Sequence, residues 1–339
     1  MRIGRNPEKL KEEKNKKYNH RIVVVFYIPN LTEEYYQESD KVLDVCLTSI
    51  INSINIDITA ITVINNNSCM EINWVIEKHK DKIDKYVVYS ENKGKVYALL
   101  NEIRGIYEEY VTITDSDILF FKGWENAVFN IFRNHPRAGV VSPYPCQYYA
   151  FYYNQSIFGD NSLFNNIGYG KVVTDLHIDL YAQGTNLPGI DTRDGFKYNW
   201  KSKQFYLKNP TPAIIGAFHV VATHRTSQFR NIYSFPELKF EDYYERNFID
   251  RLADDVGQFR LSTTTTFAYH MGNRIDDTYE KYRDQFETKD ELSFEDISTN
   301  IQRRKWLIFI NRILGRVFIK FKWNKKKEKY RVKNLLTID

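Results

Sequence analysis

Apolar and polar positions fall into short alternating blocks along this 339-residue chain. Residues 21–27, Arg-Ile-Val-Val-Val-Phe-Tyr, are nearly all apolar, which predicts a strand buried on both faces. Pro29 and Asn30 end it. Over residues 38–54, Val42, Val45, Cys46, Ser49, Ile50 and Ile54 recur at helical spacing. Residues 58–64 predict a second strand that stops at Asn65-Asn66-Asn67-Ser68. A helix through Trp74 and Val75 follows, then a third strand over 86–89. Asn92-Lys93-Gly94 turns into a helix over 95–107, and residues 110–114 form the strand that leads to Asp115. A short helix after Trp124 and a strand over 139–142 close this half. Strand and helix alternating at such short intervals predict a mostly parallel, doubly wound sheet with helices on both faces. Such sheets bind ligands at the carboxyl ends of their strands, where Tyr27, Asn66 and Asp115 to Asp117 fall.

The second half is patterned differently. Residues 144–210 are rich in Tyr, Asn, Gly and Asp with little periodicity, and are read as short elements plus a lid. Residues 213–223 are strand-like. Phe240-Glu241-Asp242 opens a predicted helix that runs to Asp254 and ends at Val256-Gly257. Residues 263–270 predict a last strand before Met271-Gly272-Asn273, and from Asp276 the chain is charged and helical. The expected division is a basic arm over 1–19, one α/β unit over 20–275 and a helical extension over 276–339.

Composition narrows the class. Apolar residues at 42% and charged residues at 27% are globular values. The net charge of +5 is mild, but its excess crowds residues 1–21 and 303–333. That placement favours an anionic surface or substrate near the ends over a nucleic-acid groove. Cys46, Cys69 and Cys146 are odd in number without metal spacing, and the Lys/Glu-rich start has no leader pattern, so a reduced, cytoplasmic chain is expected. No apolar run of about 18 residues is available to span a bilayer.

The candidate chemistry centres on Asp115-Ser116-Asp117. Two carboxylates one residue apart at a strand end repel each other, and a divalent cation reverses that sign. A solvated turn is the plainer account of the same residues.

Taken in order, Tyr27 after its strand, Asn65-Asn66-Asn67-Ser68, Asn92-x-Gly94-x-x-x-Ala98-x-x-Asn101, Asp115-x-Asp117, Glu241-Asp242 and His270-x-Gly272 resemble the nucleotide-sugar glycosyltransferases of the GT-A fold, family 2 type. The resemblance covers about residues 20–275 and implies a nucleotide-binding half over 20–143 and an acceptor half over 144–275. It implies that Tyr27 packs on the donor base and Asn66 hydrogen-bonds its edge, with Asn65, Asn92, Gly94 and Lys95 nearby. It makes Asp117 the direct ligand of Mn²⁺ or Mg²⁺, His270 the second protein ligand, and Asp115 a contact to ribose or to a metal-bound water. Asp242, or its neighbour Glu241, becomes the base that deprotonates an acceptor hydroxyl. The implied reaction is inverting transfer of a sugar, UDP-linked in the first expectation, to a surface glycan such as capsule, O-antigen or a lipid-linked oligosaccharide.

The alternatives are concrete. A sugar-phosphate nucleotidyltransferase needs a Gly-rich basic loop where Tyr27-Ile28-Pro29-Asn30 stands, and a dinucleotide oxidoreductase needs G-x-G-x-x-G there. A non-catalytic carbohydrate-binding or scaffold protein would be expected to lose Asp117 or Asp242. In the tail, Arg312, Arg316 and Lys320 are spaced four apart between large apolar residues, with Trp306 and Trp323 flanking. That pattern suits a helix lying on an anionic membrane at the inner face of the cell, and equally a helix docked on the domain or on a second subunit.

Overall fold

The computed structural model describes residues 18–161, 166–185, 200–217, 219–235, 237, 244–278, 281, 294, 297–298 and 303–320. Strands β1 (His20–Phe26), β2 (Thr59–Asn65), β3 (Lys85–Val88) and β4 (Tyr110–Asp115) run parallel in the order β3-β2-β1-β4. They alternate with α1 (Ser39–Ser53), α2 (Asn73–His79) and α3 (Lys95–Ile103). β2 is buried along its whole length and β1 along all but Arg21, as a parallel strand covered by helices on both faces should be. Helix α3 stops at Ile103, short of the expected 107, and the chain turns at Arg104 and Gly105.

The sheet then continues through β10 (Val221–Arg225), β6 (Ala138–Ser142), β11 (Phe259–Ser262), β9 (Ala213–Ile215), β8 (Gln204–Leu207) and β7 (Ile167–Gly170), giving ten strands. β10 lies antiparallel between β4 and β6, while β11 pairs parallel with β6. Seven strands therefore share one direction, with β7, β9 and β10 reversed. The result is a mixed, mostly parallel sheet with flanking helices and a C-terminal helix, as the alternating pattern predicts.

Three expectations needed revision. Residues 213–223 divide into β9 and β10 at Gly216, whose φ of +134° turns the chain there. Residues 263–270 were expected as one strand, but it forms only over β12 (Ala268–His270), after β11 has ended. A short strand, β5 (Ile118–Phe120), follows the Asp115–Asp117 turn and pairs antiparallel with β12 in a separate two-stranded sheet. The weakly patterned region 144–210 holds α5 (Gln155–Asn161), β7, α6 (Asp175–Thr185) and β8. Past α4 (Trp124–Asn134), the expected helix to Asp254 is described from Tyr244: a π-helical turn over Arg246–Asp250, then α7 (Leu252–Asp255).

The tail helix α8 (Lys305–Phe318) docks on the domain. A Cβ on Gly315 would lie 1.9 Å from the Gln155 carbonyl oxygen, and one on Gly159 would lie 1.9 Å from that of Asn311. Glycine at both positions lets α5 and α8 pack backbone to backbone. Arg316 Nε donates to Gln155 Oε1 at 3.0 Å, and Arg312 pairs with Asp255 at 3.0 Å. Two cations expected on a membrane-facing surface thus point toward the protein, because buried Asp254 and half-buried Asp255 need countercharge there.

Candidate active site

The order β2-β1-β4 places the reversal of the sheet's winding between β1 and β4. Their carboxyl ends lie side by side, with Val25 opposite Asp115. Tyr27 stands half-buried just beyond β1. The turn after β2 is built by its own side chains. Asn65 Oδ1 accepts the Ser68 N–H at 2.7 Å, Asn65 Nδ2 donates to the Tyr86 hydroxyl at 3.0 Å, and Asn67 takes a φ of 71°. Asn66 is buried; its Nδ2 donates to Asn92 Oδ1 at 2.9 Å and its Oδ1 accepts the Lys93 N–H at 3.0 Å. Asn92 Oδ1 also accepts the Gly94 N–H at 2.9 Å. The asparagines therefore lock two loops together, and Gly94, at φ 85°, turns the chain into α3.

Lys95, the first residue of α3, reaches back across this edge. Its ammonium pairs with Asp115 and with Glu245 Oε1 at 2.5 Å. Burial opposes its charge, but the two carboxylates outweigh that and hold its pKa above the ordinary lysine value. For Asp115 burial is the larger influence: its pKa is raised, with Lys95 offsetting part of the shift and Asp117 adding to it.

The β5–β12 ladder completes the centre. His270 lies opposite Ile118, and the Met271 N–H donates to the Asp117 carbonyl at 2.9 Å. His270 Nε2 consequently sits 3.1 Å from Asp117 Oδ2. Its Nδ1 faces the Gly184 carbonyl at 2.7 Å, a partner that can only accept. That contact keeps the proton on Nδ1 and leaves Nε2 as the position toward Asp117. Burial disfavours the imidazolium, yet the hydrogen bond and charge of Asp117 raise the His270 pKa to about 9.

Asp117 Oδ1 is buried and has no hydrogen-bond partner among the described residues. One orphaned carboxylate oxygen and one imidazole nitrogen with its other nitrogen tied to a carbonyl fit a Mn²⁺ or Mg²⁺ ion. Such an ion takes its remaining ligands from substrate phosphates and water. No group of three or more His, Cys, Asp and Glu that could hold a metal ion converges among the described residues.

Four charged residues in a row that starts at Lys95, namely Glu245, His219, Asp250 and Arg260, were not singled out from sequence. His219 Nε2 lies 3.4 Å from Glu245 Oε2 and its Nδ1 lies 3.2 Å from Asp250 Oδ2. Asp250 in turn pairs with buried Arg260 at 3.1 Å and accepts from the Tyr152 hydroxyl at 3.0 Å. Charges thus alternate from Asp115 through Lys95, Glu245, His219 and Asp250 to Arg260. The available signal for Glu245 was its place three residues beyond Asp242 on the same acidic segment; a lone His after a strand carried none for His219. Glu241 and Asp242 themselves lie outside the described residues.

This row has a measurable pH signature. Burial works to raise the Asp250 pKa, but Arg260 and His219 outweigh it and hold the carboxyl below the ordinary aspartate value. A depressed folded pKa means that the unfolded chain takes up the proton first as pH falls. The stabilisation is therefore complete above about pH 5 and is lost as pH drops through the ordinary aspartate range toward the lower folded value. Urea unfolding between pH 3 and 7 should show a shallower acid slope for Asp250→Asn than for the parent; equal slopes would refute the assignment.

Parts of the chain are similar to known proteins. Residues 34–183 match the family described as Glycosyl transferase family 2. S. aureus TarS, in its 1–349 crystal structure, aligns over 93% of this chain and 76% of that one, at 13% identity and a TM-score of 0.44. The mannosyltransferase PcManGT from Pyrobaculum calidifontis, solved with GDP-Man and Mn²⁺, aligns over 74% of this chain and 56% of that one, at 16% identity and a TM-score of 0.41. A further TarS crystal structure is matched over only 21% of its length, at 16% identity, 37% of this chain and a TM-score of 0.30. No curated protein matches the chain. Over residues 34–183, fewer than half of its 339 residues, the chain is thus similar to glycosyl transferase family 2.

Proposed function

We propose that the protein is an inverting, metal-dependent glycosyltransferase that moves one sugar from a nucleotide-diphosphate donor to a hydroxyl of a surface glycan, free or lipid-linked. The observation that carries this reading is the pairing of Asp117 with His270 beside the ends of β1 and β4, with one Asp117 carboxylate oxygen unpartnered among the described residues. A bound Mn²⁺ or Mg²⁺, held by Asp117 and His270, would offset charge on the departing diphosphate. Tyr27 would stack on the base, and the loops locked by Asn65, Asn66 and Asn92 would present backbone at Gly94 to the nucleotide. Lys95, paired with Asp115, would hold that carboxylate in position beside the ribose.

In the reaction the acceptor oxygen bonds to the anomeric carbon as the bond from that carbon to the diphosphate oxygen breaks, and the acceptor proton passes to a carboxylate. Asp242 is the first candidate for that carboxylate. Glu245 is the second, because its pairing with Lys95 places it beside Asp115. One displacement inverts the anomeric configuration.

The test is a panel of nucleotide sugars with Mn²⁺, read by mass spectrometry for donor hydrolysis or transfer, with UDP-sugars first. A preferred donor and an inverted product by NMR are expected. No turnover or binding of any donor would leave the scaffold reading standing, and a retained configuration would refute the single displacement.

A further inference from the structure

Docking of α8 on the domain leaves its outer face open. Leu307, Ile308, Asn311, Gly315, Phe318 and Ile319 lie at or near the packed side. The opposite side presents Trp306, Phe309, Ile310, Ile313, Leu314 and Val317, each between 41% and 66% exposed. Spacings of three and four residues make these six one continuous stripe. Stripes of this size on a helix are expected to be covered by something apolar.

Charge identifies what covers it. Residues 303–327 contain ten Lys and Arg and no Asp or Glu. At 3.6 residues per turn, Lys305, Arg312, Arg316 and Lys320 fall along one flank of the stripe. On that same flank a groove of about 960 Å³ separates α8 from the domain. Six cations line it, Arg225, Arg230, Arg303, Lys305, Arg312 and Arg316, against the carboxylates of Glu109 and Asp255. An apolar stripe bordered by cations is the arrangement of a helix lying in the plane of a bilayer, with its apolar side at the acyl boundary and its cations among anionic headgroups. No helix among the described residues is long and apolar enough to cross a membrane, so the contact is peripheral.

We propose that the outer face of α8 and the adjoining basic groove form a docking surface for an anionic lipid bilayer. The membrane-facing residues are the stripe from Trp306 to Val317, whereas Arg312 and Arg316 hold the helix to the domain and border the surface. Glu109 and Gly257 precede β4 and β11 at the amino edge of the sheet, while Asp115 ends β4 at the opposite edge, roughly 20 Å away for a strand of this length. The site is thus separate from the candidate catalytic centre and stands whether or not the transferase reading holds. A docked protein would present its catalytic edge to the aqueous side.

The test uses the full chain in a flotation assay with vesicles of phosphatidylcholine alone and of phosphatidylcholine with phosphatidylglycerol in equal parts. Binding to the anionic vesicles only, weakened by raised salt, is expected. The double variant Phe309→Glu, Ile313→Glu changes exposed side chains and should reduce binding about tenfold or more, with an unchanged melting temperature to show that it folds. If it does not fold, Ile310→Ser with Val317→Ser removes apolar area more gently and should also weaken binding. No binding by the parent chain would overturn the proposal, as would full binding by folded variants. Sedimentation of the parent as a dimer that the same substitutions split, with vesicle binding unchanged, would assign the stripe to a second copy instead.

Discussion

Asp117→Ala is expected to abolish sugar transfer, by about 10³-fold or more, while leaving the protein folded. The carboxylate supplies an oxygen that has no hydrogen-bond partner among the described residues, so its expected value lies in a ligand it would hold. Losing several kcal/mol of charge stabilisation on a leaving diphosphate corresponds to a loss of that order, since each 1.36 kcal/mol is a factor of ten. Stability should change little: the alanine removes a repulsive neighbour of Asp115 together with the partner of His270. Chelation of the parent protein should reproduce the defect, with Mn²⁺ or Mg²⁺ restoring activity in the parent but not in the variant. Full turnover in excess EDTA would refute the metal role whichever residue matters.

The second large effect distinguishes two carboxylates. Asp242→Asn keeps size and hydrogen bonding and removes the proton acceptor, so nucleotide-sugar binding should persist while transfer falls about 10²-fold or more. Glu245→Gln tests the residue that the fold brings to Lys95. Burial pushes the Glu245 pKa up, but Lys95 and His219 outweigh it and hold the carboxyl below the ordinary glutamate value. A carboxylate so paired serves best to position Lys95 and Asp115, and its loss should weaken donor binding more than the chemical step. If Glu245→Gln instead cuts kcat with donor affinity intact, and Asp242→Asn does not, the base is Glu245. Glu241→Gln should cost less than either.

The strands β1, β2 and β4 were legible because each is a run of apolar residues closed by a polar turn, and that pattern depends on local order alone. The Asp115-x-Asp117 turn was legible for the same reason, and so was His270 next to Gly272, although only as a member of an ordered set of motifs. Their meeting was not. His270 lies 153 residues beyond Asp117, and the contact exists because the three-residue strands β5 and β12 pair, elements too short to carry a periodic signal. Glu245 meets Lys95 across 150 residues of chain, and His219 in turn meets Glu245, contacts that local pattern does not encode.

The tail shows the division most clearly. Its sequence alone determined that a basic, amphipathic helix would form and that it must cover an apolar face. Which face turns inward was decided by Gly159 and Gly315, which admit close approach to α5, and by Asp254 and Asp255, which draw Arg312 toward the domain. Periodicity assigns a side chain to a face of its own helix; only packing against the rest of the chain decides what that face meets.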